Sequence, residues 1–259
     1  MDLGIAGRRA IVCASSRGLG RACAEALAAE GVHIAVNGRD AERLELTVSE
    51  LRATFPVEVT GVCADVTTGD GRAALLAACP EPDILINNNA GPPPGAFASF
   101  EHEDWLSALE SNLIAALLLT SAVVEGMRSR GFGRIVNITS AMVTTPRPAM
   151  ALSSAARAGL TAALKGLSLE VARDNVTVNN LLPERFDTDR QRFMAQRVMD
   201  AEGITYEEAR QRQEASIAAN RLGRPEELGA ACAFLCSRHA GFISGNNLHL
   251  DGGSYPGLI

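Results

Sequence analysis

Short apolar runs alternate along this chain with segments whose apolar positions recur every three or four residues. Arg9 to Ala14 reads as a buried strand, and Gly20 to Glu30 as an alanine-rich helix ended by Gly31. The alternation continues with strand Val32 to Asn37, helix Ala41 to Ala53, strand Val57 to Cys63, helix Gly71 to Ala78 and strand Asp83 to Asn87. A long helix follows from about Asp104 to Arg130, with Gly131 placed to stop it. Strand Arg134 to Thr139, helix Leu152 to Arg173, strand Val176 to Leu182, helix Glu226 to Ser237 and strand Asn247 to Leu250 complete the pattern. Strands this apolar, each separated by a helix, belong to a parallel sheet covered on both faces. The expectation is an α/β fold: a doubly wound parallel sheet of about seven strands, binding its ligand beyond the strands' carboxyl ends. One segment breaks the alternation. Residues 184–220 are polar and charged, helical in places, and follow a strand's carboxyl end, the natural position for a lid over a substrate.

The 259 residues, 47% of them hydrophobic, suit one domain spanning 1–259. A net charge of −6 and the lack of a dense basic run argue against nucleic acid or an anionic membrane as partner. No run approaches the ~20 consecutive apolar residues of a membrane span, and the first nine residues do not read as a secretory signal. Cys13, Cys23, Cys63 and Cys79 are scattered, while Cys232 and Cys236 share a helix face among apolar neighbours. They read as small hydrophobes rather than as disulfides or metal ligands. A reduced, cytoplasmic setting is expected.

The first strand leads into Ser15-Ser16-Arg17-Gly18-Leu19-Gly20 and then a helix. Glycines there let backbone approach a pyrophosphate, and the helix N-terminus offers unpaired N–H groups. With this turn, the chain resembles a classical short-chain dehydrogenase/reductase over nearly its whole length. Gly18 and Gly20 match the family's Thr-Gly-x-x-x-Gly-x-Gly turn, but Cys13 and Ala14 replace its Thr-Gly start. Asn88-Asn89-Ala90-Gly91 matches the segment after the fourth strand, Cys63-Ala64-Asp65-Val66 the adenine-side motif, and Asp251-Gly252-Gly253 the C-terminal signature. The resemblance implies a Rossmann-like sheet and a bound dinucleotide touching Ser15, Ser16, Arg17, Gly18, Leu19, Gly20, Asp65, Val66, Asn89, Ala90, Gly91, Ile138, Pro183 and Thr188. The second strand ends Asn37-Gly38-Arg39, which the resemblance places at the cofactor, with Asn37 standing where a carboxylate would bind a ribose 2′-hydroxyl. Arg39 and Arg17 converge where a 2′-phosphate would sit, so NADP(H) is expected over NAD(H). The competing reading pairs Arg39 with Asp40 or Glu42 on the surface.

The catalytic positions depart from the family. The resemblance places Ser140 at the family's serine and Asn112 at its asparagine. Counting on from Ser140, and fixing register on Ala158-Gly159-Leu160, the family's tyrosine and lysine fall on Ser153 and Arg157. The only lysine is Lys165, and neither tyrosine, Tyr206 or Tyr255, lies in that slot. Arg157 keeps a positive charge and donors for ribose hydroxyls. Ser153 is a far weaker acid than a phenol, and loss of a general acid typically costs about 10²–10⁴-fold. After Pro183 stands Glu184, where the family usually has glycine; it reads either as a titratable group near the nicotinamide or as a surface residue paired with Arg185. Arg147 and Arg185 read as anion-binding or as solvated loop residues, and Tyr206 as packing or as a substitute acid.

Three functions follow. The favoured one is an NADP(H)-dependent oxidoreductase acting on a small-molecule carbonyl or alcohol with a rearranged proton relay. The resemblance points most to 3-oxoacyl thioester reductases. The others are a dinucleotide-binding sensor without catalysis, and a non-redox lyase or isomerase using Ser140, Arg157 and Glu184. No metal site is expected. The apolar helices near Ala115 to Thr120 and after Ser153 imply a homo-oligomer, a dimer or tetramer by resemblance.

Overall fold

A computed structural model describes residues 1–258. Seven strands, β1 (Arg9–Val12), β2 (His33–Gly38), β3 (Val59–Cys63), β4 (Ile84–Asn87), β5 (Gly133–Ile138), β6 (Val176–Pro183) and β7 (Asn247–Leu250), form one sheet in the order 3-2-1-4-5-6-7. Every pairing is parallel. The expected doubly wound, Rossmann-like sheet with helices on both faces is therefore present. Successive strand side chains point to opposite faces, which divides the core in two. Ala10, Val12, Ile84 and Ile86 pack toward helices α1 (Gly18–Ala29) and α9 (Pro225–Cys236) through Leu27, Leu228 and Cys232. Ile11, Leu85 and Ile135 face the other way, toward Leu119 and Met127 of α5 (Ala115–Arg130) and Leu160 of α6 (Ala151–Val171).

The chain lays β2 and β3 on one side of β1, then returns to place β4 on the other. That reversal opens a crevice at the carboxyl ends of β1 and β4, where α/β sheets bind ligands. Helices α2 (Ala41–Thr54) and α3 (Gly69–Ala78) complete the first half.

Two elements differ from expectation in ways that matter for the site. The long helix is α4 (His102–Leu109), one π-helical turn over Glu110–Ile114, and α5, continuous for 29 residues. By length and mean hydropathy, 1.6 in its most apolar window, it matches a membrane span. It is a core helix, because Ala115, Leu119, Val123 and Met127 are buried against the sheet. The π turn adds a residue to the coil and turns Asn112 inward, where it is buried. The segment after β6 folds into α7 (Asp189–Glu202) and α8 (Tyr206–Ala215). Five of the six cysteines are buried and none is disulfide-bonded; Cys63, at the end of β3, is exposed.

Candidate active site

The turn from β1 into α1 is built by hydrogen bonds rather than by glycine alone. Ser15 Oγ donates to Val12 O at 2.7 Å and accepts from Asn37 N at 2.9 Å. Asn37 Oδ1 accepts from Ala14 N at 3.1 Å, and its Nδ2 donates to Val62 O and Ala64 O. Asn37 is 2% exposed and both amide hydrogens are in use. Asn37 is thus a staple joining β1, β2 and β3, with neither amide hydrogen left over for a ribose. Ala14 adopts φ +44, the left-handed region that glycine occupies without strain. The family's glycine is missing, but the backbone shape it serves is retained.

Gly20 shows why this turn approaches so closely. A Cβ there would lie 2.3 Å from Ala14 O and 2.8 Å from Asn88 Nδ2. Gly18 has φ +58, and the N-cap of α1 at Arg17 carries no side-chain cap, so the first N–H groups of the helix remain available. The donor set and the close backbone suit a pyrophosphate, and a dinucleotide fits. Above the turn lies a cleft of about 650 Å³. Arg17, Gly18, Leu19, Asn89, Ala90, Gly91 and Ile138 line it, together with Ser140, Ser153, Arg157, Pro183 and Thr188.

Other expected residues lie elsewhere. Ser15, Ser16 and Gly20 form the turn's interior side; Ser16 O accepts from Thr47 Oγ1 at 2.9 Å. Arg39 and Asp65 form an ion pair at 3.5 Å and line a neighbouring cleft, which shares Asn89 and Ala90 with the main one. Arg17 pairs instead with Asp189, at 3.6 Å, on the far side of the main cleft. The two guanidiniums expected to converge are therefore each held by a different carboxylate, and Arg39 pairs with neither Asp40 nor Glu42. The Asp65 carboxylate accepts from Thr67 N and Oγ1, and these bonds, the backbone one foremost, together with Arg39 lower its pKa. Val66 and Asn112 border a small pocket of about 20 Å³, lined also by Arg157, with room for one water. Asn112 Nδ2 donates to Ala90 O and Ser111 Oγ, and its buried Oδ1 has no partner among the described residues.

At the catalytic end, Ser140 Oγ accepts from Met142 N at 3.2 Å. Ser153 Oγ accepts from Arg157 Nε at 3.3 Å, a one-turn contact within α6. Each hydroxyl accepts one N–H, which leaves its own hydrogen to donate into the cleft. Arg157 is 8% exposed and its Nη1 donates to Ile138 O and Thr139 O, its Nη2 to Asn89 O. Four of its five N–H groups are thus used by the protein, so the guanidinium clamps the ends of β4 and β5 more than it reaches outward. Burial without a carboxylate pushes its pKa down to about 10, with Arg190 adding repulsion.

Glu184 is not a surface residue. Its side chain is 3% exposed, bound by Arg147 at 2.8 Å and by Arg185 at 3.7 Å. Tyr206 opens α8 and is not among the cleft residues; Tyr255 stacks on His249 with centroids 4.1 Å apart. Sequence reasoning missed Arg190, which lines the cleft and donates to Pro92 O at 2.9 Å, and the apolar wall of Met142, Met150, Phe186 and Phe193. Among many arginines after β6, nothing in the sequence distinguishes Arg190.

A parallel sheet with a glycine-turn cleft at its switch point defines a dinucleotide-binding α/β protein. The family model described as enoyl-(acyl carrier protein) reductase matches residues 13–255. The NADPH-dependent reductase BacG of Bacillus subtilis (strain 168) is 31% identical over 256 residues, covering 97% of this chain and 99% of that one. The 3-oxoacyl-[acyl-carrier-protein] reductase FabG of Vibrio cholerae is 32% identical over 262 residues, covering 98% and 99%. The crystal structure of L-sorbose reductase from Gluconobacter frateurii, complexed with NADPH and L-sorbose, superposes with a TM-score of 0.94 at 31% identity, covering all of both chains. This chain belongs to the short-chain dehydrogenase/reductase family. It is an NAD(P)H-dependent reductase of that type, acting on carbonyl or alcohol substrates.

Proposed function

We propose that the protein is an NADP(H)-preferring reductase of a carbonyl substrate, possessing a proton relay in which Ser153 and Arg157 stand at the family's tyrosine and lysine positions. The observation that carries this reading is the Arg157 Nε–Ser153 Oγ hydrogen bond, 3.3 Å long, in the cleft that also holds Ser140. When bound, the cofactor supplies hydride. Ser140 and Ser153 donate hydrogen bonds to the substrate oxygen as negative charge develops on it. The nearby Arg157 cation stabilises that charge, and its bond to Ser153 Oγ makes the hydroxyl a better donor. Serine is not acidic enough to deliver its proton unaided, so the proton comes through the hydroxyl from solvent in the cleft. Turnover is accordingly slower than with a phenol. Arg39 and Arg17, both exposed, are free to exchange their carboxylate partners for a 2′-phosphate, which supports NADP(H) over NAD(H).

The substrate class nearest this reading is a 3-oxoacyl thioester, supported by likeness to FabG. The chain acts as one domain, with residues 184–220 as its lid, supported by the bridge from Arg17 to Asp189. It works in the cytoplasm, consistent with six unpaired cysteines, and as a homo-oligomer through helices that expose Leu106, Ile114, Leu118 and Leu169.

The test mixes protein and NADPH with 3-oxoacyl thioesters, ketoses and simple ketones, following nicotinamide absorbance and product mass. Cofactor oxidation matched by alcohol product is expected. Cofactor binding without product selects a sensor, and product without cofactor oxidation selects a lyase or isomerase.

A further inference from the structure

The charges around the cleft do not balance. Its carboxylates already have cationic partners: Glu184 is paired with Arg147 and Arg185, Asp189 with Arg17 and Arg192. Arg157 and Arg190 also line it, and among the described residues neither pairs with a carboxylate. Arg157 is 8% exposed and held by backbone carbonyls and Ser153 Oγ. Arg190 is half-buried and reaches from the first turn of α7 to Pro92 O, on the loop after β4. Burial lowers the pKa of both guanidiniums, and Arg157 feels the charge of Arg190. Two desolvated cations held near each other without an anion cost stability, which an anionic ligand between them would return.

The phosphates of a dinucleotide have receptors elsewhere. The uncapped N-terminus of α1 suits the pyrophosphate, and Arg39 lies in the neighbouring cleft, outside the lining of the main one. Arg190 and Arg157 instead flank the loop after β4 and the Ser153 hydroxyl, where the substrate oxygen is handled. We infer that the substrate is an oxo acid, with a carboxylate close to its reacting carbonyl in place of the thioester that likeness to FabG suggests, and that Arg190 is the receptor for that carboxylate, a specificity residue of the cleft. The inference rests on the reductase reading for what the cleft does, but not for what it binds. A guanidinium fork offers two parallel donors to a carboxylate, and Arg190 spends only one bond, to Pro92 O, on the protein. The apolar wall of Met142, Met150 and Phe193 then faces the remainder of an oxo acid.

The experiment uses the full chain saturated with NADPH. Binding of 2-oxo and 4-oxo carboxylic acids is compared with that of their own methyl esters by calorimetry. The acids are expected to bind about tenfold tighter or more. In Arg190→Met that preference disappears while ester affinity and NADPH affinity stay within about twofold, and Arg190→Lys restores part of it. Acids binding no tighter than esters overturn the inference. So does an Arg190→Met variant that loses NADPH affinity and keeps the acid preference, which would assign Arg190 to the cofactor. Acid preference without NADPH oxidation by any ketone keeps the carboxylate receptor and removes the reductase reading.

Discussion

Arg157→Lys isolates the environment at the centre of the cleft. Burial pushes the pKa of Arg157 well below the ordinary guanidinium range, to about 10. An ammonium in the same place, starting from about 10.4, would fall to about 8. Such a lysine binds fewer protons in the folded protein than in the unfolded chain, so stability rises with pH above its folded pKa. Between pH 7 and pH 9 the folded lysine loses most of its proton while the unfolded one keeps it. That difference corresponds to a gain on the order of 1 kcal/mol for the variant over this interval. The native guanidinium stays protonated in both states across the same interval and contributes no such slope. Urea unfolding of both proteins at pH 7 and pH 9 measures the difference of differences. A variant whose pH dependence parallels the native protein would refute a desolvated site without a carboxylate. The same arithmetic gives a physical reason for arginine here: a guanidinium lowered to about 10 is still fully charged at neutral pH.

Other outcomes follow from the turn and the clefts. Ala14→Gly removes left-handed strain of about 1–2 kcal/mol against an unfolded-state entropy cost of about 0.4–1 kcal/mol, so thermal unfolding should show net stabilisation. Gly20→Ala forces a methyl against Ala14 O, displaces the turn and should abolish NADPH binding in a fluorescence titration while the circular dichroism of the fold persists. Arg39→Glu places a carboxylate beside Asp65 and should weaken NADPH by about tenfold or more, with NADH affected far less; equal losses would contradict the assignment of Arg39 to a 2′-phosphate.

The sheet was legible because a parallel strand buried on both faces must read as a continuous apolar run. Ile84 to Asn87 and Val176 to Pro183, buried throughout, are the clearest cases. The glycine turn was equally readable from its place between β1 and α1, and the grouping of Ser140, Ser153 and Arg157 in one cleft is what the resemblance to the family's motifs implied. What escaped depended on contacts distant in sequence. Asn37 could be placed at the end of β2, but its bonds to Ala14, Val62 and Ala64 involve three separate segments. The buried state of Glu184 depends on Arg147, a loop residue whose approach no periodicity encodes. Arg17 was read as turning toward Arg39, whereas Asp189 of α7 draws it the other way. The π turn at Glu110–Ile114 is a slip of hydrogen bonding within a regular helical pattern, invisible to that pattern.

The claim that Ser153, held by Arg157, serves the substrate oxygen is tested most directly by Ser153→Ala under single turnover with saturating NADPH. The hydride-transfer rate should fall by about 10²-fold while the NADPH dissociation constant is unchanged. A rate equal to that of the native protein would contradict the account and leave the family's missing tyrosine without a successor at this position.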